Sequence, residues 1–342
     1  HQLFIEEDAG TAAGFPDAAY AEAGAKTASA TEIAGSVDIF VHIQPPTAEE
    51  VGSLKNGSIV VSTLNARANA TDVASLASAG ATALAMELVP RIARAQRMDV
   101  LSSQASIAGY KAALLAANSL GKYLPMMMTA AGTIPPAKIL VLGAGVAGLQ
   151  AIATARRLGA IVEAFDVRAA AGEQVESLGA KFIQPPTAED AEGAGGYARA
   201  QTEEEQAAQR EFLKGHIADA DAVITTAAIP GRPAPLLMTE DMVDVMKPGS
   251  VVIDLAAESG GNVAGTVAGE IINKNGVMIN GPINVPSSMP FHASQLYSRN
   301  VMALLDLIID RKEGTLTIDF EDEVIDTMCV AHEGEARHGL GE

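Results

Sequence analysis

The sequence has one cysteine, no tryptophan and few basic residues, and these scarcities exclude several classes of protein. A single cysteine, Cys329, excludes an internal disulfide and any metal site built from several cysteines, and it is typical of a reducing compartment. Lysine and arginine total 23 against 42 acidic residues, which gives a formal net charge of −19. A surface this negative repels nucleic-acid phosphates and anionic lipids, so an anionic ligand has to be held by local backbone dipoles.

Long apolar runs are absent as well. The longest stretches without charge, residues 139–155 and 275–298, are broken by glycines and prolines, whereas a membrane-spanning helix needs about 20 predominantly apolar residues. The 342 residues, of which 48% are hydrophobic, suffice instead for two ordinary domains with buried cores. Because the chain opens directly on a strand-like run at residues 3–5, we expect an N-terminal unit of the first domain to be missing.

Strand-like apolar runs alternate with helical segments along most of the chain. Residues 37–41, 58–61 and 81–87 are predicted strands, and their βαβαβ order predicts parallel pairing with right-handed crossovers. A second series of the same kind begins at residue 137. This order predicts an α/β fold with two Rossmann-like domains, each built on a mostly parallel, doubly wound sheet.

Two long predicted helices, residues 103–123 and 292–310, link the two domains. Their positions predict a first domain built from two separate segments of the chain and a second domain built from one continuous segment. The first comprises residues 1–102 and 300–342, and the second, which we expect to bind the nucleotide, comprises residues 103–299.

Three shorter segments carry weaker signals. Residues 315–320 and 324–330 are strand-like, and we expect strands there in the first domain. Residues 126–129 combine three methionines with a threonine, and we interpret them as packing rather than as part of a site. Since no group of histidine, cysteine or carboxylate side chains has the spacing of metal ligands, we predict no metal.

The strongest chemical signal is a G-x-G-x-x-G pattern formed by Gly143, Gly145 and Gly148. It follows a predicted strand and opens a predicted helix, which is the context that dinucleotide binding requires. The first glycine permits a tight turn, the second lets a pyrophosphate approach the backbone, and the third lets helix and strand pack closely. The helix N-terminus adds free N–H groups and partial positive charge, so we assign cofactor binding to these glycines and to the intervening Val146 and Ala147.

An acidic residue ends the next predicted strand, about 20 residues after the last motif glycine. This residue, Asp166, can accept both ribose hydroxyls of an adenosine and would repel a 2′-phosphate, which favours NAD(H) over NADP(H). Val167 and Arg168 complete the predicted site, and Arg168 is the one feature that softens the preference. The alternative is a glycine-rich structural turn in which Asp166 merely caps the end of a strand.

Three further stretches, together with the glycine motif, carry a resemblance that covers essentially the whole chain. They are M-E-L-V-P-R-I-A-R-A-Q-R-M-D-V-L-S-S-Q at residues 86–104, L-P-M-M-M-T-A-A-G-T-I-P-P-A at residues 124–137, and G-L-Q-A-I-A-T-A-R-R-L-G-A at residues 148–160. The combination closely resembles the NAD(H)-binding domain I, or α subunit, of the proton-translocating NAD(P) transhydrogenase family.

The resemblance implies an enzyme that works only with partner subunits. NAD(H) on this chain would exchange hydride with NADP(H) on an NADP(H)-binding component, in the Re/Si-specific reaction that a membrane-spanning component couples to proton translocation. It also implies a homodimer, located at the cytoplasmic face of the inner membrane or, when isolated, soluble in the cytoplasm.

Site residues follow from the same resemblance, residue by residue. Arg91, Asp99 and Ser102 would lie around the nicotinamide carboxamide, and Gln96 would reach towards the second nucleotide across a subunit interface. A carboxamide offers both a donor and an acceptor, and hydride transfer needs orientation rather than a protein acid. Without the resemblance, the favoured interpretation is a solvated, charged loop.

Two more segments match parts of the family that contact the cofactor. Gly196 and Tyr197 match a mobile loop that folds over bound NAD(H), with glycine as hinge and tyrosine as lid. Ala228 follows the predicted strand at residues 222–226, and ligands of open α/β sheets sit at the C-terminal ends of such strands. We therefore expect Ala228 to line the cofactor cleft.

Alanine dehydrogenase, which shares this fold, is the main competitor. In that family a lysine and a histidine hold and protonate the 2-oxo acid, and the matching positions here are His42 and Thr63. Threonine cannot act as an acid or base near neutral pH, and we interpret His42 as an ordinary surface or half-buried histidine. Two alternatives thus stay open beside the transhydrogenase: an amino-acid dehydrogenase of this type and a non-catalytic NAD(H)-binding module.

Overall fold

A computed structural model describes residues 1–185, 202–228, 231–310 and 312–338. The chain divides into two compact units, of which the first comprises His1–Gln104 and Met289–Glu342 and the second comprises Ala105–Ser288. In the described ranges, no helix is long and apolar enough to cross a membrane.

The N-terminal part of the first unit alternates strands with helices. Its strands are β1 (Phe4–Glu6), β2 (Lys26–Ala28), β3 (Ile39–Val41), β4 (Ile59–Ser62) and β5 (Thr82–Ala85). Its helices are α1 (Asp17–Glu22), α2 (Ala30–Ser36), α3 (Ala48–Ser53), α4 (Ala70–Ser78) and the start of α5 (Val100–Ser119), with 3₁₀ turns at Thr11–Ala13, Met86–Leu88 and Ala93–Met98. β4 lies between β3 and β5 and pairs with both in parallel, as the βαβαβ order predicts. β1 and β2 also pair in parallel, in a separate two-stranded sheet.

The second unit carries the larger sheet. Its elements are β6 (Met127–Thr129), β7 (Gly132–Ile134), β8 (Lys138–Leu142), α6 (Val146–Arg157), β9 (Ile161–Phe165), α7 (Ala171–Ser177), β10 (Lys181–Phe182), α8 (Glu203–Asp219), β11 (Ala222–Thr225), α9 (Glu240–Asp244), β12 (Val251–Asp254), β13 (Ile271–Lys274) and β14 (Val277–Asn280). Seven strands form a sheet in the order β10-β9-β8-β11-β12-β14-β13, and only the edge strand β13 is antiparallel to its neighbour. The strand order reverses between β8 and β11, which is where open α/β sheets bind their ligands.

The sequence of β8 explains why this sheet is covered on both faces. Ile139 and Val141 belong to one buried cluster with Ile152 of α6, whereas Leu140 and Leu142 belong to the cluster on the other face. A strand that is buried on both sides has to be apolar throughout instead of alternating, as this strand is after its first residue.

The chain then returns to the first unit through α10 (Pro290–Ile308), α11 (Glu323–Met328), β15 (Cys329–His332) and β16 (Glu335–Ala336). β15 adds to β5 in antiparallel fashion, which gives the sheet order β16-β15-β5-β4-β3. The whole of α10 belongs to the first unit, whereas the expected boundary at residues 299 and 300 would cut through this helix. The reason is its packing, since Tyr297 and Val301 on successive turns are buried in the core of that unit.

The expectations for the three short segments are wrong in whole or in part. Of residues 324–330, only 329 and 330 are extended, and residues 324–328 are helical because Asp322 accepts a hydrogen bond from the Val324 amide and so begins α11. Residues 315–320 form no strand beyond one bridge at Leu316. Residues 126–129 are not packing, because the hairpin of β6 and β7 leaves Met126 58% and Met128 81% exposed.

Candidate functional site

The turn after β8 has the geometry for which its glycines are required. Gly143 has a φ of +100°, and a Cβ there would lie 2.6 Å from the Thr226 hydroxyl oxygen. A Cβ on Gly148 would collide with the carbonyl oxygen of Gly143. By contrast, a Cβ on Gly145 would meet no atom within 4 Å, so the space beside this residue is open. The turn therefore leaves room for a ligand at its middle glycine.

The helix that follows presents its N-terminus to this open space. Gly145 is the N-cap of α6 and supplies no side chain to cap it, so the amides of the first turn have no partner within the helix. Val146 is 43% exposed, whereas Ala147 is half-buried. Unsatisfied N–H groups and the positive end of a helix dipole can together hold a phosphate.

Asp166 lies directly after β9, and its side chain is only 7% exposed. Its carboxylate accepts hydrogen bonds from the amides of Ala144 (2.7 Å) and Arg168 (2.9 Å) and from the Arg168 side chain (2.8 Å each from Nε and Nη2). Burial disfavours the charged form, but the bonds from Arg168 and Ala144 outweigh it and lower the pKa of Asp166. The carboxylate thus ties the glycine turn at residues 143–148 to the end of β9, and it is ionised at neutral pH.

The end of β11 forms the other side of the switch point. The Thr226 hydroxyl donates to the Gly143 carbonyl at 3.0 Å, and Ala228 is exposed two residues further on. Between them, both backbone groups of Ala227 are bonded to the side chain of Asn262, which donates to its carbonyl at 2.8 Å and accepts from its amide at 3.1 Å. A side chain from a distant loop therefore fixes the segment that leads to Ala228.

Asp254, at the end of β12, fixes that loop in turn. Its fully buried carboxylate accepts the amides of Ala256, Asn262 and Val263 and the hydroxyls of Thr225 and Thr266. Sequence reasoning missed both Asp254 and Asn262. The signal was an acidic residue closing an apolar strand, followed by a glycine pair and an asparagine.

In the first unit, the predicted nicotinamide residues lie on or beside the 3₁₀ turn before α5. Arg91 and Gln96 are exposed, and Asp99 and Ser102 are partly buried. The last two are brought together, since Asp99 accepts the Ser102 amide at 2.8 Å and its hydroxyl at 2.6 Å, which caps the start of α5.

Other residues of the first unit hold this segment in place. The buried Asn300 of α10 donates to the Arg97 carbonyl at 2.8 Å and accepts the Ser103 hydroxyl at 2.7 Å. Arg94 forms a two-pronged contact with Asp322, at 2.9 and 2.6 Å, and this contact lowers the pKa of the carboxyl. The segment is thus anchored at several points, while Arg91 and Gln96 on it are exposed.

The two positions that distinguish alanine dehydrogenase are engaged within the first unit. His42 is half-buried, with Nδ1 2.6 Å from the Gln44 carbonyl oxygen and Nε2 3.5 Å from a carboxylate oxygen of Glu50. The Thr63 hydroxyl donates to the Ile43 carbonyl. Both side chains thus already have hydrogen-bonding or charged partners within the first unit.

Two of the sequence-predicted site residues stay predictions, because the structure does not describe them. Gly196 and Tyr197 lie outside the described residues. Within the described ranges, no three histidine, cysteine, aspartate or glutamate side chains are grouped so that they could hold a metal ion.

An open parallel sheet with a glycine turn and an uncapped helix at its switch point is how many α/β proteins hold dinucleotides. The molecule is thus an α/β protein of the dinucleotide-binding class. More narrowly, the chain belongs to the alanine dehydrogenase/PNT family, whose N-terminal domain matches residues 1–108 and whose C-terminal domain matches residues 112–339.

Individual relatives confirm the resemblance and the fold class predicted from the sequence. The chain is 48% identical to an NAD(P) transhydrogenase subunit alpha polypeptide of Rhodospirillum rubrum, over 98% of this chain and 90% of that polypeptide. The crystal structure of transhydrogenase from Sinorhizobium meliloti has a TM-score of 0.85 and 44% identity, covering 99% of this chain and 90% of that one. Alanine dehydrogenase of Mycobacterium tuberculosis is 30% identical over 78% of this chain and 67% of its own length.

Proposed function

We propose that this chain is the NAD(H)-binding component of a proton-translocating transhydrogenase. The observation that carries the proposal is the 48% identity to a transhydrogenase alpha subunit over 98% of the chain. Hydride would pass between NAD(H) held here and NADP(H) held by a partner component, with Re/Si specificity. The phosphate-binding turn supports the first half of this reaction, because it supplies the backbone groups that a pyrophosphate requires.

The cofactor is assigned to the switch point of the second unit. Its pyrophosphate would lie on the amides of Val146 and Ala147, beside the open space at Gly145. The adenosine ribose would bind Asp166, and Ala228 would line the same cleft. Because the Asp166 carboxyl is ionised at neutral pH, it would repel the 2′-phosphate of NADP(H), and NAD(H) is the expected ligand.

The nicotinamide is assigned to the segment before α5. Arg91 would donate to the carboxamide oxygen, and Asp99 and Ser102 would meet its amide group. The contact between Asp99 and Ser102 fixes the direction of both groups before a ligand arrives, and such pre-orientation favours hydride transfer. Gln96 would reach towards the partner's nucleotide, and Tyr197 with Gly196 would close over NAD(H), as in the family.

Partner proteins complete the proposed enzyme. The sequence contains one G-x-G-x-x-G motif, and a single bound dinucleotide has no acceptor for its hydride. We assign the second nucleotide to an NADP(H)-binding component and the proton path to a membrane-spanning component. The chain itself would act as a homodimer at the cytoplasmic face of the inner membrane, or in the cytoplasm when isolated.

A mixing assay tests this function directly. Reduction of an NAD analogue by NADPH is followed by absorbance, with the chain alone and with an added NADP(H)-binding transhydrogenase component. We expect negligible turnover by the chain alone and rapid turnover after the partner is added. Brisk turnover without the partner would reveal a second nucleotide site and overturn the proposal.

An alanine dehydrogenase activity is the second candidate, because an enzyme of that name is 30% identical to this chain. The engaged side chains of His42 and Thr63 argue against it. Alanine-dependent reduction of NAD by the pure chain would favour this candidate over the first. Tight NADH binding without turnover in the presence of any partner would instead favour a non-catalytic binding module.

A further inference from the structure

The Asp166 carboxylate has no free acceptor position. A carboxylate offers about four lone-pair sites, two on each oxygen. Oδ1 accepts the Arg168 amide and the Arg168 Nε, and Oδ2 accepts the Ala144 amide and the Arg168 Nη2. The ribose hydroxyls that the proposed function assigns to Asp166 therefore find every site occupied.

Two of these four bonds are fixed by the backbone. The amide of Ala144 belongs to the phosphate-binding turn, and the amide of Arg168 belongs to the turn after β9, so neither can leave without rebuilding the site. The other two come from the guanidinium group, one to each carboxylate oxygen. The Arg168 side chain is 21% exposed at the surface of the second unit, and it is long and flexible enough to withdraw.

Withdrawal of the guanidinium would open one acceptor site on each oxygen. Two adjacent sites on one carboxylate suit two neighbouring hydroxyl groups, which is what the 2′- and 3′-positions of a ribose present. We propose that Arg168 is a specificity-determining gate: its guanidinium occupies one acceptor site on each Asp166 carboxylate oxygen and leaves when the adenosine ribose of NAD(H) binds. The proposal rests on the proposed function for its ligand, NAD(H), and for the assignment of the adenosine ribose to Asp166.

The gate affects the two cofactors in opposite ways. For NAD(H), opening replaces two hydrogen bonds from a charged guanidinium donor with two from uncharged hydroxyl donors, all accepted by the same ionised carboxylate, so the gate weakens binding. For NADP(H), the displaced guanidinium stays beside the 2′-phosphate and offsets the repulsion from Asp166, so the gate assists binding. Arg168 thus reduces the preference for NAD(H) over NADP(H) that Asp166 creates.

The test replaces Arg168 in the full chain with methionine, which keeps an unbranched stem and removes every donor. Nicotinamide fluorescence measures the Kd of NADH and NADPH, and calorimetry measures ADP-ribose, which reports on the adenosine end without the nicotinamide. For Arg168→Met we expect NADH and ADP-ribose to bind about three- to tenfold more tightly and NADPH about tenfold more weakly. Arg168→Lys keeps the charge but loses the planar guanidinium that donates to both carboxylate oxygens. Its affinities for the three ligands are expected to lie between those of Arg168→Met and those of the wild type.

Arg157→Met is the matched control, because Arg157 is exposed in the last turn of α6, at the opposite end from the phosphate-binding turn. It removes the same charge and is expected to leave all three affinities unchanged. Thermal unfolding supplies a second measurement. Without cofactor, Arg168→Met should lower the Tm by stranding a buried carboxylate, and saturating NADH should raise its Tm more than that of the wild type.

Any other outcome contradicts the proposal that Arg168 acts as a gate. Weaker NADH binding by Arg168→Met would show that the guanidinium holds the cofactor, and unchanged affinities would show that it does not have to leave. A purely structural role for Arg168 would appear as a lower Tm of Arg168→Met together with an NADH-induced rise in Tm no larger than that of the wild type. Failure of the proposed function is distinguishable, since it would appear as absent NADH and ADP-ribose binding by the unmodified chain, or as absent turnover with the partner component.

Discussion

The two units share the same strand–helix alternation but finish their parallel strands differently. In the second unit, β8 ends in a glycine turn whose middle residue faces open space. In the first unit, the loop after β4 is closed by protein, since Glu87 accepts the amides of Leu64 and Ala66 at 3.0 and 2.8 Å and Ser62 donates to the Gln44 carbonyl. A carboxylate that already holds these amides leaves no place for a phosphate there.

The two units therefore offer a ligand different groups: backbone amides in the second unit and side chains in the first. The second unit offers backbone amides at a strand end, which suit any pyrophosphate. The first unit offers side chains on a segment that Asn300 and Arg94 hold in place. We infer that the first arrangement sets whether a dinucleotide binds and that the second sets whether its hydride can be transferred.

The largest effect is expected from breaking the glycine turn. Gly148→Ala forces a methyl group against the Gly143 carbonyl and within 3.1 Å of the Thr226 hydroxyl oxygen, so NADH binding should be lost and the free energy of unfolding should fall by about 1–3 kcal/mol. In Gly145→Ala the methyl group meets no atom within 4 Å, so the Tm should hold while NADH binding weakens. Fluorescence titration and thermal unfolding measure both variants. An equal loss of Tm in the two would contradict the open space at Gly145.

A change confined to the first unit should separate transfer from binding. Gln96→Asn shortens an exposed side chain by one methylene, so hydride transfer with the partner should fall by about 100-fold while the Kd of NADH stays constant. Gln295→Asn, an exposed position on α10, is the matched control and should leave both unchanged. If NADH binding weakens in step with the rate, Gln96 belongs to the site of the first cofactor.

The anchor of that segment should have a smaller effect of the same kind. Asn300→Asp replaces the donor to the Arg97 carbonyl with a second acceptor, and we expect transfer to fall by about tenfold without a change in NADH affinity. Gln295→Glu makes the same chemical change at an exposed position of α10 and controls for the added charge. Stopped-flow rates and NADH titration provide the two readouts. An unchanged rate would show that the segment keeps its position without Asn300.

The smallest effect concerns pH and again distinguishes the units. The pKa of Asp166 is lowered in the folded chain, so its ionised form stabilises the fold above the unfolded value of about 3.9 and this contribution is lost as the pH falls through the folded value. Asp166→Asn should therefore cost about 1–3 kcal/mol at pH 7 and less at pH 3, because part of the contribution is already lost below the unfolded value. Asn300→Ala should cost the same at both pH values, because its partners, a hydroxyl and a carbonyl, do not titrate in this range. Urea unfolding at the two pH values measures these differences.

The sequence predicts well whatever depends on neighbours along the chain. The turn from β8 into α6 follows from three glycines and an apolar run, and all of its determinants lie within a dozen residues. Helix α11 resembles a strand in the sequence because its apolar residues carry no clear period, and the cap from Asp322 decides its conformation.

What the sequence could not predict depends on distant partners. Asn300 forms hydrogen bonds with Ser103 and Arg97, which precede it by 197 and 203 positions in the sequence, and no local pattern marks it as an anchor. The sequence does place Arg168 beside Asp166. That the guanidinium folds back to occupy both carboxylate oxygens is a matter of rotamers, which residue order does not encode.

The side-chain amide of Asn262 provides the pair of hydrogen bonds that a neighbouring strand would provide in a sheet. β11 ends its pairing at Thr225, yet two residues later Ala227 again finds a donor and an acceptor, supplied by a side chain rather than by a strand. A peptide group in a ladder cannot be exchanged by mutation, but residue 262 can. The position of Ala228 is therefore adjustable without disturbing the strands beneath it, through one side-chain amide that lies 35 residues after Ala227 in the sequence.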